Sequence, residues 1–256
     1  MTTASAISLY AREQPGFADR LAHAGALLRD AATAHAGRIV QASSFGAEDM
    51  VVTDLIARLR LPIVVATLDT GMLHGETTTL VAETEERYGI AVERYRPIRE
   101  SVIAFVGRHG DGAMRQSVDL RKACCAIRKI EPLARMLDGR SAWVTGLRRE
   151  QSIDRGEVPF EELDTNCRAK LNPLADWSWH DVWHHIERFD VPYNALHDQF
   201  FPSIGCAPCT RAVALGEDFR AGRWWWEQGV KECGLHVEPV GSPSTTPPAS
   251  STELHA

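Results

Sequence analysis

The chain has 256 residues, 44% hydrophobic and 24% charged, enough for a packed α/β core. A net charge of −6 argues against binding nucleic acid through bulk positive charge. No apolar run approaches the roughly 18–20 residues that span a bilayer, and Met1 to Ser8 lack the basic start and apolar core of a signal peptide. Phe17, Leu21, Ala24, Leu28 and Ala32 recur at helical spacing and predict a helix over Phe17 to His35. Arg38 to Ala42 is β-prone, Ser43 to Ala47 reads as a turn, and Glu48 to Leu59 resumes helical periodicity. Pro62 to Leu68 reads as a buried strand broken by Asp69-Thr70-Gly71; Gly75 to Tyr88 as a helix; Ala91 to Tyr95 as a strand. This alternation predicts a parallel sheet covered by helices.

Ala126 to Leu137 reads as a helix kinked or interrupted by Pro132. Ala142 to Gly146 follows as a strand, and Ser178 caps a helix through Trp179, Val182, Trp183 and Ile186. Glu238 to Ala256, rich in Pro, Ser and Thr, is expected to be disordered. There is no internal repeat.

In an open α/β sheet, ligands bind beyond the carboxyl ends of the strands. Three turns occupy that position. Ser43 to Asp49, with its hydroxyls, its glycine and the following helix N-terminus, suits a phosphate or sulfate, although it is no Walker A loop. Leu68-Asp69-Thr70-Gly71 ends a strongly apolar strand. Gly146 to Ser152 carries Arg148 and Arg149, whose guanidinium groups suit phosphate or sulfate oxygens; a solvated surface loop is the plainer alternative.

The six cysteines are the sharper signal. Without an export signal, metal binding or thiol chemistry is a better reading than a disulfide scaffold. Cys124 and Cys125 are adjacent, and Cys206-Ala207-Pro208-Cys209 is a C-x-x-C pair. Four thiolates in two close pairs suit a tetrahedral zinc site or a four-iron cluster; a thioredoxin-type redox pair is the alternative for the C-x-x-C. Cys233 lies shortly before the tail, where a mobile nucleophile can reach a bound substrate, or is incidental. Cys167 is expected to be a small buried hydrophobe. His180 and His184, at i and i+4 on a helix, read as structural because no third metal ligand is evident.

Together these segments resemble assimilatory adenylyl-sulfate (APS) reductases, the iron–sulfur branch of the APS/PAPS reductase family. The matching stretches are Ser43-Ser44-Phe45-Gly46-Ala47-Glu48-Asp49, Leu68-Asp69-Thr70-Gly71, Cys124-Cys125-Ala126-Ile127-Arg128-Lys129, Trp143 to Gln151, Cys206-Ala207-Pro208-Cys209 and Glu232-Cys233-Gly234-Leu235-His236. They run in family order over most of the chain.

The resemblance implies an adenine-nucleotide α-hydrolase-like (Rossmann-like), mostly parallel sheet flanked by helices. It implies one domain over residues 1–237, with a mobile active-site segment at 228–237 and the tail at 238–256. The Ser43 loop takes the place of the pyrophosphate loop of related ATP pyrophosphatases, without their Ser-Gly-Gly-x-Asp-Ser pattern. The implied activity is thioredoxin-dependent reduction of adenosine 5′-phosphosulfate to sulfite and AMP in sulfate assimilation and cysteine biosynthesis. Cys233 would be the nucleophile and carry an S-sulfocysteine intermediate. Cys124, Cys125, Cys206 and Cys209 would hold one [4Fe–4S] cluster. Ser43, Ser44, Phe45, Gly46, Glu48, Asp49, Leu68, Asp69, Thr70, Lys129, Gly146, Arg148, Arg149, Arg220, Arg223 and His236 would bind substrate. The rings of Trp224 to Trp226 otherwise read as core or interface aromatics. Expected partners are APS and thioredoxin, with no nucleic acid or membrane; a homo-oligomer in the cytoplasm is expected. The alternative is a PAPS reductase or a dual APS/PAPS enzyme. An adenylating sulfurtransferase and a zinc-stabilised nucleotide-binding module are the readings from other classes.

Overall fold

The computed structural model describes residues 5–151, 158–214 and 216–227. Strands β1 (Ile39–Ser43), β2 (Val64–Leu68), β3 (Val92–Tyr95), β4 (Ala142–Val144), β5 (Glu161–Leu163) and β6 (Ala169–Leu171) form one sheet in the order β3-β2-β1-β4-β6-β5. All pairings are parallel except β5 with β6. The α/β reading therefore stands. The antiparallel edge β5–β6, which the periodicity did not reveal, closes the sheet on one side. Its turn explains Cys167: the residue is exposed and left-handed, at φ +58°, rather than buried in the core as expected. Its N–H donates to the Asp164 carbonyl, which fixes it in that turn.

Alternate residues of each strand face opposite helical layers, as the pleat requires. Ile39, Val65 and Val144 pack with α2 (Phe17–Ala34), α3 (Ala47–Arg58), α4 (Gly75–Tyr88) and α8 (Trp179–Phe189). Val40, Ala66 and Trp143 pack with Met136 and Leu137, at and just beyond the end of α7 (Glu131–Met136). The predicted cap of α8 is a full capping box: Ser178 and Asp181 each satisfy the other's backbone N–H. A short α1 (Ala6–Tyr10) leads into the domain, and α5 (Arg99–His109) buries none of its residues. Among the described residues no helix is long and apolar enough to cross a membrane.

The segment read as a helix kinked or interrupted by Pro132 is interrupted. Helix α6 (Val118–Cys125) runs into a π-helical turn, Ala126–Ile130, and then into α7. Pro132 has no N–H for the carbonyl four residues back, and its ring crowds that carbonyl. The wider π turn accommodates both effects, and such turns recur at functional sites. Cys124 and Cys125 close α6, while Arg128 and Lys129 lie in the π turn itself.

Candidate active site

Strand order reverses direction between β1 and β4, so the chain leaves their carboxyl ends toward opposite sides and opens a crevice. A cavity of about 240 Å³ lies there. It is walled by the turn after β1 (Ser43, Ser44, Gly46, Glu48, Asp49), the end of β2 (Leu68, Thr70) and the turn after β4 (Gly146, Leu147). Lys129, Arg220 and Arg223 complete its cationic side. Its apolar wall is Ala42, Leu68, Leu133, Met136 and Trp143, on the α7 face of the sheet.

The turn after β1 is shaped by its own side chains. Phe45 takes φ +59° with its ring fully buried in the core, anchoring the loop. Ser44 donates both its N–H (2.6 Å) and its hydroxyl (2.7 Å) to Asp49 Oδ2. The loop expected to donate to a phosphate thus spends these two donors on its own acid. Burial pushes the Asp49 carboxyl up to about 6, against the lowering effect of the Ser44 and Gly146 hydrogen bonds. Beneath it, Gln41 of β1 is wholly buried: its amide donates to the Asp49 carbonyl (2.8 Å) and accepts from Thr53 (2.9 Å). A polar residue inside the apolar run Ile39-Val40-Gln41-Ala42 was the signal for it, though sequence reading passed over it. Gly146 lies against the same turn so closely that an added Cβ would stand 2.6 Å from Asp49 Oδ1 and 3.0 Å from its backbone nitrogen.

The two loop arginines do not enter the cavity. Arg148 is buried; its guanidinium donates to Glu48 (2.9 and 3.1 Å), to Glu150 (2.6 Å) and to the Trp177 carbonyl (3.2 Å). Arg149 donates to the Val158 carbonyl and lies over the Phe160 ring. Asp69 pairs with Arg96 (2.7 Å) and receives the Gly71 N–H, fixing the turn rather than lining the cavity.

Arg223 is the contrasting case. It is buried, its Nη1 makes two 3.3 Å contacts to Ser203 and the Ile204 carbonyl, and its Nε has no hydrogen-bond partner among the described residues. No carboxylate pairs with it among the described residues. A buried cation without an anion is costly, and this one faces the cavity. Gly205 makes room for it: a Cβ there would lie 2.4 Å from the guanidinium. Of the three tryptophans, Trp224 is buried under Arg121 and Arg223, while Trp225 is exposed and Trp226 half-buried.

Next to this cavity is a second, smaller one lined by Cys124, Cys125, Cys206 and Cys209, with Met72, Met114 and Trp224 as its apolar shell. Arg121, Arg128 and Lys129 also border it, and Lys129 and Cys206 belong to both cavities. All four cysteines are buried thiols. Burial pushes the Cys209 thiol up to about 11, and neighbouring Cys206 adds to this. Among the described residues no group of three or more His, Cys, Asp or Glu side chains stands at single-ion coordination spacing. The two cysteine pairs are tied to the strand ends. Arg128 donates to the Thr70 carbonyl (2.7 Å), Thr70 Oγ1 lies 3.3 Å from Cys206 Sγ, and the Ala207 N–H donates to the Met72 carbonyl (2.8 Å). His180 and His184 lie elsewhere, His180 on the Tyr10 carbonyl and His184 against Phe17. Cys233 and His236, with the whole of 228–256, lie outside the described residues.

A switch-point cavity joined to a four-cysteine chamber defines a class of nucleotide-binding α/β proteins, and comparison narrows it. The family model of the phosphoadenosine phosphosulfate reductase domain matches residues 38–212, and the chain belongs to that family. It is 57% identical over 200 residues to the adenosine 5′-phosphosulfate reductase of Allochromatium vinosum, covering 77% of this chain and 78% of that protein. Its likeness to the Burkholderia cepacia adenosine 5′-phosphosulfate reductase is 48%, over 94% of this chain and 95% of the relative. Among solved structures, phosphoadenylyl-sulfate (PAPS) reductase from Candida auris, in a phosphate complex, superposes with a TM-score of 0.63 at 27% identity, over 77% and 97% of the two chains. Candida glabrata FMN adenylyltransferase, at 17% identity and a TM-score of 0.52 over 79% and 68% of the two chains, shares the fold.

Proposed function

We propose that the chain reduces adenosine 5′-phosphosulfate to sulfite and AMP. The observation that carries this reading is Arg223, a buried guanidinium without a carboxylate partner among the described residues, lining a cavity that also has an apolar wall. A planar base fits the wall, and a phosphosulfate supplies the missing negative charge. The high identity to two adenosine 5′-phosphosulfate reductases supports APS over PAPS.

Lys129 and Arg220, which line the same cavity, stand with Arg223 around the phosphosulfate. Cations there are chemically necessary, because a thiolate must approach negative oxygens. The Cys233 thiolate attacks the sulfate sulfur. The bond from sulfur to the bridging oxygen breaks, and AMP departs with its electron pair. A thiolate of reduced thioredoxin then attacks Cys233 Sγ and sulfite leaves with the electrons of the S–S bond; the second thioredoxin thiol attacks the resulting mixed disulfide, frees the Cys233 thiolate, and thioredoxin ends as its disulfide after donating two electrons.

Cys124, Cys125, Cys206 and Cys209 suit a [4Fe–4S] cluster: four buried thiols border one apolar chamber with three cations at its edge to offset thiolate charge. When bound, such a cluster supplies structural order and local electrostatics. Lys129, which borders both chambers, places its charge between cluster and substrate. A cytoplasmic homo-oligomer belongs to the same proposal.

The test is sulfite release from APS with reduced thioredoxin. Cys233→Ser is expected to abolish turnover while keeping the visible cluster absorption. A Cys233→Ser protein that still turns over, or a wild type that consumes PAPS but not APS, refutes the corresponding part.

A further inference from the structure

Arg121 lies in α6, one turn before Cys125 and therefore on the same face of the helix. Its guanidinium borders the four-cysteine chamber, is hydrogen-bonded to the Cys125 side chain and lies over the Trp224 ring at 4.5 Å. Its Nε donates to Glu227 Oε1 at 2.6 Å, and the two side chains are only 2% and 6% exposed. This buried ion pair has no part in the reaction as described above.

Glu227 ends a run of chain that leaves the cavity. Arg223 lines the cavity, and its guanidinium lies over the same Trp224 ring at 4.8 Å. Trp224 donates its N–H to the Cys209 carbonyl (3.2 Å), and the Glu227 N–H donates to the Trp224 carbonyl (2.9 Å), which closes a turn. The run from Arg223 to Glu227 is thus fixed to both cysteine pairs: to Cys209 through the backbone, and to Cys125 through Arg121. Glu227 stands six residues before Cys233.

A buried ion pair gives little stability beyond what apolar side chains of similar volume would give, but a displaced partner would leave a buried charge unpaired, so the pair holds one register. Six residues reach at most about 20 Å, so holding Glu227 confines the Cys233 thiol to that distance from it. With Trp224 as the nearest fixed point the tether would be nine residues. Its greater length alone lowers the effective concentration about twofold, and lost orientation adds to this.

We propose that Arg121 and Glu227 are positioning residues for the nucleophile: their ion pair anchors the segment that carries Cys233 to the helix that carries Cys124 and Cys125. The inference rests on the reading of Cys233 given above, and it gives the cysteine chamber a mechanical route to the reacting thiol.

The experiment is single-turnover AMP release from saturating APS without thioredoxin, in the full-length holoprotein as wild type, Glu227→Ala and Glu227→Gln, with calorimetric AMP binding and bound iron measured alongside. Glu227→Ala is expected to release AMP about tenfold more slowly, with AMP affinity and iron content within about twofold of wild type. Glu227→Gln still accepts a hydrogen bond from Arg121 and should recover most of the rate. Should Glu227→Ala fail to fold, the double variant Arg121→Met/Glu227→Gln leaves no unpaired charge in the buried site and should show the same loss. Trypsin supplies a readout independent of turnover: cleavage after Lys231 is expected to be about tenfold faster once the pair is removed. A release rate within about twofold of wild type in a folded variant lacking the pair, a loss matched by weaker AMP binding or missing iron, or unchanged cleavage overturns the proposal. A wild type that releases no AMP, or a Cys233→Ser protein that releases as much, would instead overturn the reading of the nucleophile, and the cleavage rate would still test the anchor.

Discussion

Arg148 and Arg223 are both buried arginines near one cavity, yet their removal should fail in opposite ways. Arg148→Ala deletes donors to Glu48, Glu150 and the Trp177 carbonyl and leaves the Glu48 carboxylate, itself nearly buried, with Gln151 as its remaining side-chain hydrogen-bond partner among the described residues. Removing one member of a buried ion pair costs about 3–5 kcal/mol, mostly through the uncompensated charge left behind. For a chain of this size each kcal/mol lowers Tm by about 2–4 °C, so Tm should fall by roughly 6–20 °C. Arg223→Ala deletes no ion pair seen among the described residues. It should leave Tm within about 2 °C or raise it, and raise KM for APS about 10- to 100-fold, the worth of a charge-assisted hydrogen bond. Thermal denaturation monitored by circular dichroism, together with initial rates, separates the two. A stable Arg148→Ala with a raised KM would refute the structural role derived from these contacts, and would restore that arginine to the anion site.

Gly146→Ala drives a methyl group against the Asp49 backbone and carboxyl, and should cost about 1–3 kcal/mol in overpacking; chemical denaturation reads it, and KM should rise because the turn after β1 must shift. Asp49 gives a pH signature. Its pKa is raised from 3.8 to about 6, so the folded state binds the proton more tightly, and its contribution to stability improves as pH falls from about 6 toward 4. The buried His197 acts oppositely over pH 6.5 to 4, because the unfolded chain takes up the proton first. Subtracting the Asp49→Asn stability profile from wild type isolates the first effect; a flat difference between pH 4 and 6 contradicts it. Substituting Ser for any of Cys124, Cys125, Cys206 or Cys209 should remove the visible absorption and the bound iron and sulfide, and retention of all three in a folded variant denies that cysteine a place at the cluster.

Sequence by itself determined the alternating strands and helices, the turns beyond β1, β2 and β4, and the grouping of four cysteines. Those features are local: periodicity, capping residues and short spacings express themselves within a few residues of chain. The pairing of Cys124–Cys125 with Cys206–Cys209 was legible because two close pairs leave few chemical alternatives. The tertiary structure decided which charges are spent and which are available. Arg148 and Arg149 look like an anion site in sequence, but Glu48, distant along the chain, comes to meet Arg148, and the Val158 carbonyl and Phe160 take up Arg149. Arg223 looks no different from Arg220 in sequence, yet its burial without a carboxylate partner among the described residues emerges only when Gly205 and Trp224 close around it. Cys167 turned outward because a left-handed turn between two short strands set its direction. Gln41 was missed because a polar residue among apolar neighbours gains meaning only from what lies opposite it across the fold. The sequence set the inventory of charges and thiols; desolvation and long-range pairing, which depend on the whole packed chain, determined what each can do.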